Sequence, residues 1–135
     1  MEKNKIICLI DDEEIVQFIV KTIVKKLNIN VNLSSYFSGT EALNSFKQLL
    51  GSVDELPDII LLDINMPVMN GWQFLEEFIK LQSQINKKIV IYIFSSSTSI
   101  EDMNKSKSYV EISGYLSKPI STDTLKNIIQ LHLSS

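Results

Sequence analysis

The side chains able to do chemistry in this sequence fall at the ends of apolar runs. Cys8-Leu9-Ile10 gives way at once to Asp11 and Asp12, with Glu13 and Glu14 behind them. Ile59-Ile60-Leu61-Leu62 ends in Asp63, which opens a loop carrying Asn65 and Pro67 before Gly71. Ile89 to Phe94 ends in Ser95, Ser96 and Ser97, and Tyr115-Leu116 ends in Ser117, Lys118 and Pro119. A carboxylate beside a buried run is costly unless something pairs with it. If these ends meet, Asp11, Asp12 and Asp63 share one place with a hydroxyl cluster and the Lys118 ammonium. Crowded carboxylates raise one another's pKa unless a cation intervenes. The donors are all oxygen, which suits Mg²⁺, Mn²⁺ or Ca²⁺ better than zinc. Mg²⁺ binds through one or two carboxylates, keeps several waters and serves phosphate chemistry. Opposite such an ion a lysine would hold a phosphoryl oxygen, a hydroxyl could donate to another, and Asp63 could attack a phosphorus atom.

For these ends to meet, the elements must alternate. "KIICLI" reads as a buried strand, and the segment after it places Ile15, Ile19, Ile23 and Leu27 at helical spacing, widened by Val16, Val20 and Val24. Residues 31–37 read as a second strand. Ser38 and Glu41 have capping-box spacing and predict a helix over 39–50. Residues 51–57 read as a loop, "DIILLD" as the third strand, and "WQFLEEFIKLQSQI" as an amphipathic helix with Trp72 and Phe74 in the core. "KIVIYIF" is the fourth strand, "STSIEDMNKSKSY" a more polar helix, "EISGYLS" the fifth strand, and 121–133 a last helix capped by Ser121. Strands and helices in strict alternation imply a parallel sheet covered on both faces. Strands 1, 3 and 4 are apolar throughout, as central parallel strands are. In such a fold the ligand crevice lies beyond the carboxyl ends of the strands, where the side chains above emerge.

Composition sets the bounds. The chain has 135 residues, room for one domain. Apolar residues make up 44% and charged residues 21%, the profile of a soluble globule. A net charge of −3 without a Lys/Arg cluster argues against nucleic-acid binding. Cys8 is the only cysteine, so no internal disulfide forms. No apolar stretch is long enough for a bilayer, and "MEKNK" runs straight into the first strand without room for a signal peptide. The expectation is a cytoplasmic protein that does not engage a membrane.

Four segments, in order, resemble the receiver domain of bacterial two-component response regulators: "IDDEE", "LLDINMPVMNG", "FSSS" and "GYLSKP". The resemblance runs the whole chain. It implies a single receiver domain over 1–135 without an effector domain, in an α/β, flavodoxin-like doubly wound five-stranded parallel sheet of order 2-1-3-4-5 with five helices. It implies that Asp63 is the phosphoacceptor. Asp12 and Asp63 would bind Mg²⁺ directly (Mn²⁺ as substitute), Asp11 mainly through water, and Asn65 through its backbone carbonyl. Lys118 would pair with Asp63 and then with the phosphoryl group. Ser95, with Ser96 as the alternative, would hydrogen-bond that group, and Tyr115 would turn inward on activation. The Lys118–Pro119 bond would be cis. The donor would be a sensor histidine kinase or histidine phosphotransfer protein. The output would pass to another protein through the fourth helix, fifth strand and last helix, with Ile100, Met103, Tyr109 and Tyr115 as apolar contacts. The protein would catalyse only its own phosphoryl transfer and dephosphorylation, as a monomer or a weak phosphorylation-dependent dimer.

Other readings are weaker on the residues. A flavodoxin-like cofactor site needs a phosphate cradle after the first strand, and "DDEEI" would repel phosphate. A phosphohydrolase with an Asp63 nucleophile needs a nearby acid, where "DINMP" offers Asn65. A receiver-like module working without phosphorylation is the alternative kept. His132, the only histidine, lies near the end of the last helix and does not read as a phosphohistidine.

Overall fold

The computed structural model describes residues 4–133. The elements are β1 (Lys5–Ile10), α1 (Glu14–Leu27), β2 (Val31–Tyr36), α2 (Gly39–Gln48), a 3-10 turn (Val53–Glu55), β3 (Ile59–Leu62), α3 (Gly71–Gln82), β4 (Val90–Ser95), α4 (Ile100–Lys107), β5 (Ile112–Ser117) and α5 (Thr122–Leu133). The strands form one parallel sheet in the order β2-β1-β3-β4-β5. This is the flavodoxin-like order the sequence resemblance implied.

Period-two alternation makes the central strands apolar on both sides. One face carries Cys8, Ile10, Ile60, Leu62, Ile91 and Ile93, packed against Phe46, Phe74 and Phe78 of α2 and α3. The other carries Ile7, Leu9, Ile59, Leu61, Tyr92 and Phe94 beneath Val20 and Ile23 of α1 and Leu125 and Ile129 of α5. Ile10 pairs with Leu62, and Leu62 with Ile93. The sheet therefore releases Asp11 and Asp63 at one level, and Ser95, opposite Ser117, one residue further on.

Helix boundaries follow local chemistry. Ser38 Oγ accepts the Glu41 N–H at 3.1 Å and starts α2 as predicted. The helix ends at Gln48, short of the predicted Leu50, with Leu49 as its C-cap. Asn70 and Gln73 form a full capping box on α3, an Asn-x-x-Gln signal the sequence reading passed over. The 51–57 loop holds the 3-10 turn, tied down by Lys87, which donates to the Leu56 carbonyl at 2.6 Å and pairs with Asp58 at 3.3 Å. Lys88 and Ile89, predicted to open the fourth strand, precede it: β4 runs Val90–Ser95.

The α1 stripe differs from its prediction. Ile15 is 61% exposed and Phe18 64%, whereas Gln17 is buried with Val20, Ile23 and Val24. The buried arc is centred nearer Val20 than equal weighting of the isoleucines suggests. Polar α4 contributes little to either core: Ser106 is its one buried residue. A clasp to α3 ties down its C-terminal end, through Lys105 and through Tyr109 just past the helix. Trp72 stacks on Tyr109 at 5.9 Å and 11°, Lys105 lies 5.1 Å above the indole, and the Tyr109 hydroxyl donates to Glu76 at 2.9 Å.

Val68, fully exposed in the β3–α3 loop, has φ 67. A β-branched residue is a true outlier in this left-handed region, and this one has no packing to compensate. Asparagine adopts that conformation more readily. Val68→Asn is expected to stabilise the protein by about 1 kcal/mol, read as a higher urea midpoint at unchanged slope; a lower midpoint would contradict the strain.

Candidate functional site

The register delivers Asp11, Asp63, Ser95 and Lys118 to the carboxyl edge, and backbone bonds lock each there. Asp63 N–H donates to the Ile10 carbonyl at 3.0 Å, Asp11 N–H to Tyr36 at 3.1 Å, and Lys118 N–H to Ser95 at 2.9 Å. The Lys118–Pro119 peptide is cis. Gly71 N–H donates to the Ile64 carbonyl at 2.8 Å. A Cβ on Gly71 would meet the Asp63 carbonyl oxygen and lie 2.9 Å from Ile64 Cα. Only glycine lets α3 start this close to the Asp63 backbone.

Each of Asp11, Asp12 and Asp63 offers a carboxylate oxygen within 4.8 Å of the others. Asp11 is wholly buried and Asp63 nearly so. Lys118 Nζ lies 2.6 Å from Asp11 Oδ2, 3.3 Å from Asp63 Oδ1 and 3.4 Å from the more exposed Glu13. The Asp11 pair is held by charge and proximity rather than by a well-aligned hydrogen bond. The sequence reading paired Lys118 with Asp63; the ammonium contacts both carboxylates and sits nearer Asp11. Each carboxylate also accepts a backbone N–H, Asp11 from Glu13 at 2.9 Å and Asp63 from Asn65, so the lysine is shared between the two rather than dedicated to Asp63.

Burial pushes the Asp63 carboxyl up to about 6, and the Asp11 charge adds to the rise against the lowering effect of Lys118. Burial also raises Asp11, opposed chiefly by Lys118. Burial alone would lower Lys118, but Asp11 and then Asp63 outweigh it and hold the ammonium above its usual value. One lysine thus does not neutralise the cluster. The all-oxygen donors, their spacing and this surplus negative charge fit a hard divalent cation.

The hydroxyl run resolves into separate roles. Ser95 is fully buried, and its Oγ accepts the Ser97 N–H at 3.0 Å. Ser96 is exposed beside Lys118 and Pro119. Ser97, unassigned from sequence, joins the loop to α4: its Oγ donates to Asp102 at 2.8 Å and accepts the Ser99 N–H at 3.2 Å. Tyr115 is half-buried against the core, and its hydroxyl donates to the Ser97 carbonyl at 2.8 Å. The ring expected to turn inward on activation already reaches the β4–α4 loop here, because that carbonyl is the acceptor the loop presents to it.

His132 stands apart. It bonds the Tyr92 hydroxyl at 2.6 Å beside Lys5 and Val90, the first residues of β1 and β4, at the opposite edge of the sheet.

The pKa shifts carry a sign. A carboxyl raised in the folded state contributes stability that is full below its unfolded pKa and lost as pH rises through the folded value. In a chelator, stability is therefore expected to fall between about pH 4 and pH 6 and stay low above it. Asp63→Asn should remove most of that fall and exceed wild type by about 1–2 kcal/mol at pH 8. Urea titrations at pH 5 and 8 check this, and parallel pH profiles for the two proteins would refute it.

Comparison with known proteins agrees with the geometry. The family model for the response regulator receiver domain matches residues 7–130. A two-component response regulator from Cytophaga hutchinsonii superposes with a TM-score of 0.86 at 31% identity, covering 99% of this chain and 100% of that one. Protein PilG of Pseudomonas aeruginosa is 30% identical over 129 residues, 96% of this chain and 87% of that protein. Chemotaxis protein CheY of Thermotoga maritima is 31% identical over 88 residues, 65% of this chain and 66% of that protein. Among the described residues, no helix is long and apolar enough to cross a membrane. With the strand order, the acidic cluster and the family match in agreement, this chain belongs to the response regulator receiver domain family of two-component signalling.

Proposed function

We propose that this receiver is a phosphorylation-dependent switch in which Asp63 takes a phosphoryl group from a phosphohistidine on a histidine kinase or phosphotransfer protein. The observation that carries the reading is Asp63 itself: a buried carboxylate within reach of Asp11, Asp12 and the Lys118 ammonium. Asp12 and Asp63, with the Asn65 carbonyl, would hold Mg²⁺ directly, and Asp11 would act mainly through water. When bound, Mg²⁺ supplies positive charge beside the transferring phosphoryl oxygens.

The chain's own residues do the rest. An Asp63 oxygen attacks phosphorus, the P–N bond to the donor imidazole breaks, and its electron pair returns to the ring. Lys118 follows the charge that spreads over the equatorial oxygens. Water later attacks the acyl phosphate and restores the carboxylate, so the protein modifies and resets itself rather than turning over a substrate. The Ser95 hydroxyl, now the acceptor for Ser97 N–H, would donate to the new dianion. Movement of Ser95 passes to Ser97, and thence to Tyr115 and Asp102. With Tyr115 already bonded to the loop, activation is a shift of population between states rather than the creation of a new contact.

Ile100, 74% exposed, and Met103, 40% exposed, lie on the surface this network moves, which fits a protein partner reading α4, β5 and α5. The chain is read as a single receiver that works in the cytoplasm, without contacting nucleic acid or membrane. A module that binds partners without phosphorylation is the competing reading, and one experiment separates them. After acetyl phosphate treatment, intact mass is expected to show one added phosphoryl group on wild type. The gain should need Mg²⁺ and be absent from Asp63→Asn. Lys118→Met should slow the gain about 100-fold. Equal gain in wild type and Asp63→Asn would overturn the acceptor, and no gain in wild type would favour the competing reading.

A further inference from the structure

The β1–α1 junction is shaped by a residue that does not touch the reacting group. Gln17 of α1 is 7% exposed, among Val20, Ile23 and Val24. Its Nε2 has two N–H donors. One goes to the Asp11 carbonyl at 3.0 Å and the other to the Tyr36 carbonyl at 3.1 Å. Tyr36 also accepts the Asp11 N–H at 3.1 Å, so the amide staples the exit of β1 to the end of β2. Its Oε1 is buried without a partner among the described residues. An orphaned buried acceptor is costly, and an apolar side chain would pack this helix without that cost. The donors, not the packing, are what this position supplies.

The Asp11 carbonyl belongs to the peptide unit joining Asp11 to Asp12. That unit is planar, so holding its oxygen sets the plane from which both residues leave. The Asp11 carboxylate has other anchors, Glu13 N–H on Oδ1 at 2.9 Å and Lys118 on Oδ2. The Asp12 carboxylate has no hydrogen bond or ion pair among the described residues, so its aim depends on the backbone that Gln17 holds.

Resting on the metal reading above, we infer that Gln17 is a positioning residue for the divalent cation: by clamping the Asp11–Asp12 peptide it presents the Asp12 carboxylate toward Asp63. Groups that orient ligands in this way typically govern metal affinity by 10- to 100-fold.

The test is Mg²⁺ titration of the full chain followed by backbone and side-chain amide NMR. Gln17→Met keeps the length and removes both donors. It is expected to weaken Mg²⁺ binding about 10-fold or more. Val24→Ala, which disturbs the same helix face away from Asp11, should leave the affinity within about twofold. A folded Gln17→Met protein with wild-type affinity overturns the inference alone, as does an equal loss in Val24→Ala. Wild type supplies a readout that does not depend on how the variant folds. The Gln17 side-chain amide signals are expected to shift with the same Mg²⁺ midpoint as the Asp12 backbone amide, and signals that stay fixed count against the clamp. Failure of wild type to bind Mg²⁺ removes the metal reading and this inference together.

Discussion

The contest between one ammonium and a cluster of carboxylates organises this molecule. Lys118 reaches Asp11 and Asp63 at once, yet both carboxyls remain above their ordinary values because burial penalises their charge more than the lysine relieves it. The edge of the sheet is therefore held short of charge balance. That imbalance has a structural cost, and in the proposed function it is also the capacity to take up a cation and then a phosphoryl group. Under that proposal, electrostatic strain that a better-balanced pocket would remove makes the site responsive.

The scaffold resists this repulsion. Asp11 and Asp63 follow strands buried on both faces, Lys118 follows the half-exposed edge strand β5, and a backbone bond to the neighbouring strand anchors all three. The two hydrophobic layers are complete without the site residues, so charge chemistry at the edge need not disturb them. Parts that would move on switching are attached differently. α4 is tethered at its C-terminal end by Lys105 above the indole and the Trp72–Tyr109 stack just beyond it, and at its N-terminal end by serine hydroxyls. Such contacts are individually weak and re-form easily, which suits the signalling role proposed for this element.

Gln17 and Ser97 show how polar residues outside the chemistry give the pocket its shape. One fixes a peptide plane beneath the acidic pair, and the other ties the serine loop to α4. Neither stands out by residue type. A lone glutamine within an apolar helical arc reads as an interruption of the stripe, and a serine inside a run of serines reads as redundancy. Only the carbonyls and the carboxylate they meet identify them.

The order of the elements, the apolar central strands and the residues at their carboxyl ends were legible from the sequence alone, because alternation and hydrophobic period are local properties. The acidic pair, Asp63 and Lys118 could be named for the same reason: the carboxylates follow buried runs, and Lys118 closely trails the apolar Tyr115-Leu116 of β5. Tertiary structure decided what depends on distances between segments far apart in the chain. It set Lys118 nearer Asp11 than Asp63, separated buried Ser95 from exposed Ser96, turned Ile15 outward and Gln17 inward on α1, and placed Tyr115 on the Ser97 carbonyl. Those outcomes rest on which partner is within about 3 Å of a polar atom once water is excluded, and linear spacing does not encode that.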